Sequence, residues 1–198
     1  VAKDIIDKIL SIIIILLLFV PSIIIAILIK RDSKGKIIYK HKRMGKNNKI
    51  IHVLKFRTMV ENAEQLKNEF TDEQKREYNE NYRLKNDPRI TKTGKILRKL
   101  CVDEIPQFIN VLKGELSIVG PRPVTEEELE KYTKIEREML LSTKPGITGY
   151  WQINRQENTT YEERINMELY YVKNKNIILD IKIIIGTIKL ILKKCFDR

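Results

Sequence analysis

The chain has 198 residues, enough for one domain and an appendage, with 42% hydrophobic residues, 32% charged residues and a net charge of +12. Such a charge favours a polyanionic partner: nucleic acid, an anionic membrane face or a phosphorylated substrate. Cys101 and Cys195 lie far apart in no CxxC pattern, so neither a disulfide framework nor a cysteine zinc site is indicated.

The apolar residues crowd the two ends and the charges fill the middle. From Ile9 to Ile29 the sequence runs for 21 residues without a charge, and about 20 suffice to span a bilayer as a straight helix. No small-residue cleavage site follows; the run passes directly into Lys30-Arg31, so an anchor is expected rather than a signal peptide. Pro21 lies inside the run. It removes a backbone donor and clashes with the preceding turn, which predicts a kink near residues 17 to 21. Between residues 30 and 49 nine lysines and arginines face a single acid, Asp32, and the positive-inside rule puts that flank in the cytoplasm. Ahead of the run, Lys3 and Lys8 are balanced by Asp4 and Asp7. A straight span and a helix that bends back to its own side fit these features equally.

Lys49 to Met59 is short and partly apolar, as a strand or extended segment would be. Residues 61 to 85 are rich in charge and in helix formers. Thr71 with Gln74 three residues on forms a capping box that predicts a helix start, and Asn86-Asp87-Pro88 predicts its break. Further on, Ile105, Phe108, Ile109 and Leu112 share a helical face, and Gly114 is a natural stop. Proline is tolerated only in a first turn, so Pro106 predicts a helix that begins around Asp103, a good cap residue. Asp103 and Glu104 would then sit at a helix N-terminus, which stabilises carboxylates and phosphates. Taken alone, such a pair is a cap with an acidic neighbour.

Two restricted loops follow. Gly120-Pro121-Arg122-Pro123 holds an arginine between prolines, suited to clamping a phosphate. In Lys144-Pro145-Gly146-Ile147-Thr148-Gly149 the glycines would let a ligand approach the backbone. Lys55, Arg57 and Arg89 add cations. At the far end Ile177, Ile181, Ile184, Ile185, Ile188 and Leu192 recur at helical spacing among lysines. Either a core helix or a helix in the membrane interface has this pattern, and the basic composition favours the interface.

The expected fold is mainly α with short β segments (α+β): a membrane helix over residues 1–30, a compact cytosolic domain over 31–176 and an amphipathic interface helix over 177–198. His41 and His52 form no metal motif, and no GxSxG, P-loop or GxGxxG occurs. Aspartate can attack phosphorus and split a transfer into two steps. A neighbouring glutamate can hold Mg²⁺, which takes oxygen ligands and bridges substrate phosphates.

The apolar run with its proline, LKFRTM, NDPRIT, LRKLCVDEIPQFINVLKGELSIVGPRP, KPGITGYWQIN and the closing ELYYVKN and LDIKIII occur in one order over nearly the whole chain. Together they resemble the monotopic bacterial phosphoglycosyl transferases, in particular the small, catalytic-domain-only members. The resemblance implies a re-entrant N-terminal helix and a catalytic domain on the cytoplasmic face of the bacterial inner membrane. It also implies that Asp103 attacks the β-phosphate of a UDP-sugar, releases UMP and holds the phosphosugar until undecaprenyl phosphate takes it. Glu104 would help bind Mg²⁺. Arg122 would contact phosphate, with Lys55, Arg57 and Arg89 as substrate-side or structural cations. Membrane phospholipids are the other implied partner; a homodimer and downstream glycosyltransferases stay open. Many members carry serine before the membrane proline, where this chain has Val20, followed by Ser22 after the proline.

The alternative is a membrane-tethered basic binding or scaffold protein without catalysis. Nucleic acid is disfavoured as a partner, because aromatics are only 7%, Trp151 is the single tryptophan and no recognition motif is present.

Overall fold

The computed structural model describes residues 2–82, 84–156 and 158–196. The apolar run forms two helices, α1 (Ala2–Leu17) and α2 (Phe19–Asp32), bent by 62° across Leu18. The cause is local: Pro21 has no N–H to offer the Leu17 carbonyl. Leu18 N–H still donates to the Ile14 carbonyl and Ser22 N–H to the Leu18 carbonyl, both at 2.9 Å. The break therefore falls inside the expected window. Among the described residues no single helix is long and apolar enough to cross a membrane, whereas the bent pair passes that test together.

β1 (Ile38–Met44) and β2 (Ile50–Phe56) form an antiparallel hairpin, in register from Ile38 opposite Phe56 to Met44 opposite Ile50. β2 is the extended segment expected between Lys49 and Met59. Ile51 and Val53 share one face of it and are buried beside Val111, Ile118, Val119, Tyr171 and Ile183. Phe56 is buried with Ile25, Ile29 and Leu97, which docks α2 onto the domain.

α3 (Asp72–Asn81) opens on the Thr71–Gln74 capping box, as the sequence indicates. It ends ahead of the Asn86-Asp87-Pro88 break, because Tyr82 adopts a left-handed φ of 53° and its N–H closes onto the Tyr78 carbonyl. α4 (Lys92–Leu100) is capped by the Thr91 hydroxyl. A Cβ on Gly94 in its first turn would overlap the Thr58 backbone, so glycine lets α4 lie directly against the end of β2.

Cys101 ends α4 with a φ of 57°, followed by a single 3-10 turn, Val102–Glu104, and then α5 (Gln107–Leu112). This corrects the expected helix start. Asp103 is no cap: Pro106 occupies the N-cap and the regular helix begins at Gln107. The left-handed residue at Cys101 leaves room for one tight turn before the proline, and Asp103 sits inside it.

β3 (Ser117–Val119) pairs in parallel with β4 (Gly146–Thr148). Between them lie α6 (Glu126–Leu129) and α7 (Lys134–Leu141); after them come α8 (Tyr150–Asn154), α9 (Tyr161–Asn174) and α10 (Ile177–Phe196). Thr125, Thr133 and Thr160 cap α6, α7 and α9, each in a box with the glutamate three residues on. The described residues are thus mostly helical, with two small two-stranded sheets among them.

α10 turns Asp180 and Ile183 inward and leaves Ile181, Ile185, Ile188 and Leu192 exposed. Ile9, Ile13, Leu16, Phe19, Ile23 and Ile27 of α1 and α2 are exposed likewise. Apolar side chains of this number on one set of helices mark an interaction surface rather than a solvated one.

Candidate active site

The carboxylates of Asp103 and Glu104 are consecutive in the chain and lie in opposite environments. Asp103 is 8% exposed. Burial pushes its carboxyl above the ordinary range, the Lys55 ammonium pulls it down, and the neighbouring Glu104 charge pushes it up again. Glu104 experiences the same burial penalty, but the Lys55 charge and hydrogen bond, the Arg122 charge and a hydrogen bond from Gln107 outweigh it and hold Glu104 low. Lys55 Nζ donates to Glu104 Oε1 at 2.6 Å. Neighbouring titratable groups with separated pKa values mark a division of labour in acid–base and nucleophilic sites.

Three elements position this pair. β2 carries Lys55, and Leu54 N–H donates to Asn110 Oδ1 on α5 at 2.9 Å. Asn110 Nδ2 in turn donates to the His52 carbonyl at 2.8 Å. The side chain of Asn110 thereby ties α5 to β2 and fixes Lys55 relative to Glu104. α4 contributes Arg98, whose Nε donates to Thr58 Oγ1 at 2.8 Å and whose charge also lowers Asp103.

Arg122 is half-buried in the loop after β3, and its backbone N–H donates to Glu168 Oε2 at 3.0 Å. Its charge reaches Glu104, Glu128 and Glu168. The loop is rigid because Gly120 N–H donates to the Thr148 carbonyl at 2.9 Å and Gly146 N–H to the Pro121 carbonyl at 2.8 Å. A Cβ on Gly146 would overlap the backbone of Gly120. This revises the reading of the KPGITG turn. Its glycines admit the GPRP loop, backbone against backbone, rather than a ligand.

Two of the other cations have structural partners. Arg57 is 8% exposed; its Nη1 donates to the Lys34 carbonyl and its Nη2 to the Ser33 carbonyl at 2.7 Å. It closes the C-terminal end of α2. Arg89 is 3% exposed and clasps Asp87 with both edges, Nε to Oδ1 at 2.8 Å and Nη2 to Oδ2 at 2.6 Å, while its guanidinium covers the Phe70 ring. The structure thus brings Asp103, Glu104, Lys55 and Arg122 together and engages Arg57 and Arg89 elsewhere.

Arg98 and Gln107 join the site without having been singled out in the sequence. Both stand inside the long central motif, but an arginine on an amphipathic helix and a glutamine after a proline carry no signal of their own.

A cleft of about 760 Å³ lies beside the carboxylate pair rather than over it. Arg122 lines it, whereas Asp103 and Glu104 do not. A buried ionic group forms its floor: Glu128 accepts from Arg43 Nη1 at 2.5 Å and from Arg164 Nη1 at 3.3 Å. Burial, reinforced by the Arg43, Lys55 and Arg122 charges, pushes His41 down to about 3 and keeps it neutral.

Among the described residues no three His, Cys, Asp or Glu side chains gather as a metal cage. Glu104, held in its charged form, offers instead a hard oxygen donor. A single carboxylate fits Mg²⁺ in its usual mode, with the remaining positions filled by water and substrate phosphate.

The family described as bacterial sugar transferase matches residues 1–194. The chain is 41% identical over 174 residues to the exopolysaccharide production protein ExoY of Sinorhizobium fredii, covering 86% of this chain and 75% of that protein. It is 42% identical over 183 residues to the UDP-galactose-lipid carrier transferase of Erwinia amylovora, covering 91% and 38%. It is 40% identical over 169 residues to the undecaprenyl-phosphate galactose phosphotransferase of Salmonella typhimurium, covering 84% and 35%. The chain therefore spans little more than a third of the two longer relatives.

Proposed function

Because the chain belongs to the bacterial sugar transferase family, we propose that it transfers a phosphosugar from a UDP-sugar to undecaprenyl phosphate at a membrane surface, with Asp103 as nucleophile. The observation that carries this reading is the opposed environment of Asp103 and Glu104. A buried carboxylate held above its ordinary range is the more basic and the more nucleophilic of the two. Its partner, kept low by Lys55 and Arg122, stays charged beside it.

In the first step an Asp103 oxygen attacks the β-phosphorus of the donor. A new O–P bond forms, the bond to the bridging oxygen breaks, and UMP leaves with the electron pair. In the second step an oxygen of undecaprenyl phosphate attacks the same phosphorus, and the Asp103 carboxylate departs. Polyprenyl-diphosphate-sugar results and the carboxylate is restored. Mg²⁺ held by Glu104 would neutralise charge on the transferring phosphate. Lys55 keeps Glu104 ionised, and Arg122 presents its guanidinium on the cleft side of the pair, where it would meet the diphosphate.

Re-entrant membrane insertion has support of its own. At the start of α1, Lys3 Nζ is 2.6 Å from Asp180 Oδ2, and Asp7 Oδ2 accepts from Ser117 Oγ at 2.6 Å. Just after α2, Arg57 holds the Ser33 carbonyl, and at its last residue Asp32 Oδ2 accepts from Thr93 N–H at 2.8 Å. Both ends of the bent pair are bound to one domain, while the exposed apolar residues between them suit the bilayer. The bend needs no serine before Pro21. The half-exposed isoleucines of α10 favour the membrane interface in the same way.

The test is UMP release from a panel of UDP-sugars with undecaprenyl phosphate and Mg²⁺. Turnover with at least one donor, abolished by Asp103→Asn, is expected. Full turnover by that variant would remove Asp103 from the chemistry, and a scaffold role would follow from the absence of turnover with every donor.

A further inference from the structure

Three features of the cleft beside the carboxylate pair ask for a ligand. Its wall is cationic, with seven lysines and arginines against four glutamates. It carries the chain's only tryptophan, Trp151, next to Tyr161, and the Arg164 guanidinium stacks over both rings at 5.7 and 4.9 Å. Two residues of its wall also carry buried polar atoms that have no hydrogen-bond partner: Nε and Nη2 of Arg164, and Oε1 of Gln152. Arg164 is 8% exposed, and only its Nη1 is engaged, by Glu128. Buried donors and acceptors of this kind are nearly always satisfied in folded proteins, so each one left over points to a missing partner.

We propose that this cleft binds the nucleoside monophosphate half of the donor, with Trp151 and Gln152 recognising the uracil ring and the Arg164–Arg122 side meeting phosphate oxygens. The inference rests on the phosphosugar-transfer reading above and adds to it which half of the substrate lies where. In-line displacement fixes the geometry. The leaving oxygen stands opposite the attacking one across phosphorus. With Asp103 attacking, UMP must extend away from Asp103, beyond the phosphate. The cleft suits that half of the donor, since Arg122 lines it and acts on Glu104 while neither carboxylate lines it. The cationic excess suits an anionic nucleotide better than a neutral hexose. A volume near 760 Å³ also falls in the range of ordinary small-molecule sites. Uracil presents an N–H beside a carbonyl. A side-chain amide pairs with that edge in bidentate fashion, which would give Gln152 Oε1 the donor it lacks.

Trp151 makes the test direct, because its fluorescence is the protein's whole tryptophan signal. UMP is titrated into the membrane-reconstituted Asp103→Asn chain, which requires no chemistry. Saturable quenching is expected with UMP and none with a hexose 1-phosphate at the same concentration. Gln152→Ala should weaken UMP binding about tenfold, the loss of roughly one good hydrogen bond, with the thermal midpoint unchanged. In the active protein the same substitution should weaken inhibition by UMP and leave the ranking of UDP-sugars as it was.

Quenching by the hexose 1-phosphate instead of UMP would overturn the assignment and give the cleft to the sugar. UMP affinity indifferent to Gln152→Ala would overturn it as well. In either case UMP release by the unsubstituted protein keeps the transfer reading intact. Absence of release with every donor would defeat that reading itself.

Discussion

Replacing Lys55 with methionine removes the cation that most strongly lowers both site carboxylates, and keeps the length of the side chain. Lys55 Nζ lies 2.6 Å from Glu104 Oε1, and the two side chains retain 25% and 31% of their exposure. A hydrogen bond to a charged group contributes about 1.5–3 kcal/mol, and partial exposure favours the lower end. Without that cation the burial of Glu104 is left less opposed, and its carboxyl rises. Asp103 loses an attractive charge too and moves in the same direction. The nucleophile must be ionised, and its folded value already lies above the ordinary range. The acid limb of kcat/KM, which reports the free enzyme, should therefore shift to higher pH in Lys55→Met. The assay is UMP release across the acid range at subsaturating donor. An acid limb that stays in place, or moves down, refutes the electrostatic account of the pair.

Arg57→Ala deprives the end of α2 of two charged hydrogen bonds. It should lower the thermal midpoint by an amount equivalent to about 3 kcal/mol, with KM for the UDP-sugar unchanged in the folded fraction; a pure KM effect would make Arg57 a substrate contact. Asp87→Ala leaves Arg89 buried without its partner, at about 3–5 kcal/mol by chemical denaturation. Burial would raise Asp87, but Arg89 holds it below its ordinary range. The pair's stabilisation is therefore complete above the ordinary carboxylate range and lost as pH falls through the lower folded value. In Asp87→Ala that acid-dependent loss should disappear. Gly146→Ala drives a methyl into the Gly120 backbone and should destabilise the protein by about 1–3 kcal/mol. It should also reduce kcat/KM, since the displaced loop carries Arg122; an undisturbed melting curve would show that the two loops have slack.

Local chemistry in the sequence foretold local structure well. Pro21 announced the break at Leu18, and Thr71 with Gln74 announced α3. The same Thr-x-x-Glu pattern stands at Thr125, Thr133 and Thr160, where three more helices begin. Asp103 departs from its expected place because Pro106 stands at the N-cap of α5 rather than inside the first turn of a helix from Asp103. The left-handed Cys101, which forces a separate 3-10 turn, has no marker in residue type. Arg57 and Arg89 show the limit of reading cations from sequence: a buried clasp and a phosphate contact use the same guanidinium. What distinguishes them is the partner brought close by folding, the Ser33 and Lys34 carbonyls just after α2 for one and Asp87 for the other. The cleft was the least legible feature. Arg43, Arg122, Trp151 and Arg164 meet there from separate segments, and no motif spacing encodes that meeting.

A covalent phosphosugar on Asp103 is the central intermediate proposed, and the most direct measurement is to look for it. The membrane-reconstituted protein is incubated with its UDP-sugar and Mg²⁺ in the absence of undecaprenyl phosphate, and its peptides are analysed by mass spectrometry. A burst of UMP equal to the enzyme present is expected, with a phosphosugar mass on the peptide that carries Asp103. The adduct should disappear when undecaprenyl phosphate is added and be absent from Asp103→Asn. UMP formation that strictly requires the lipid, with no adduct on Asp103, would contradict it and indicate direct transfer.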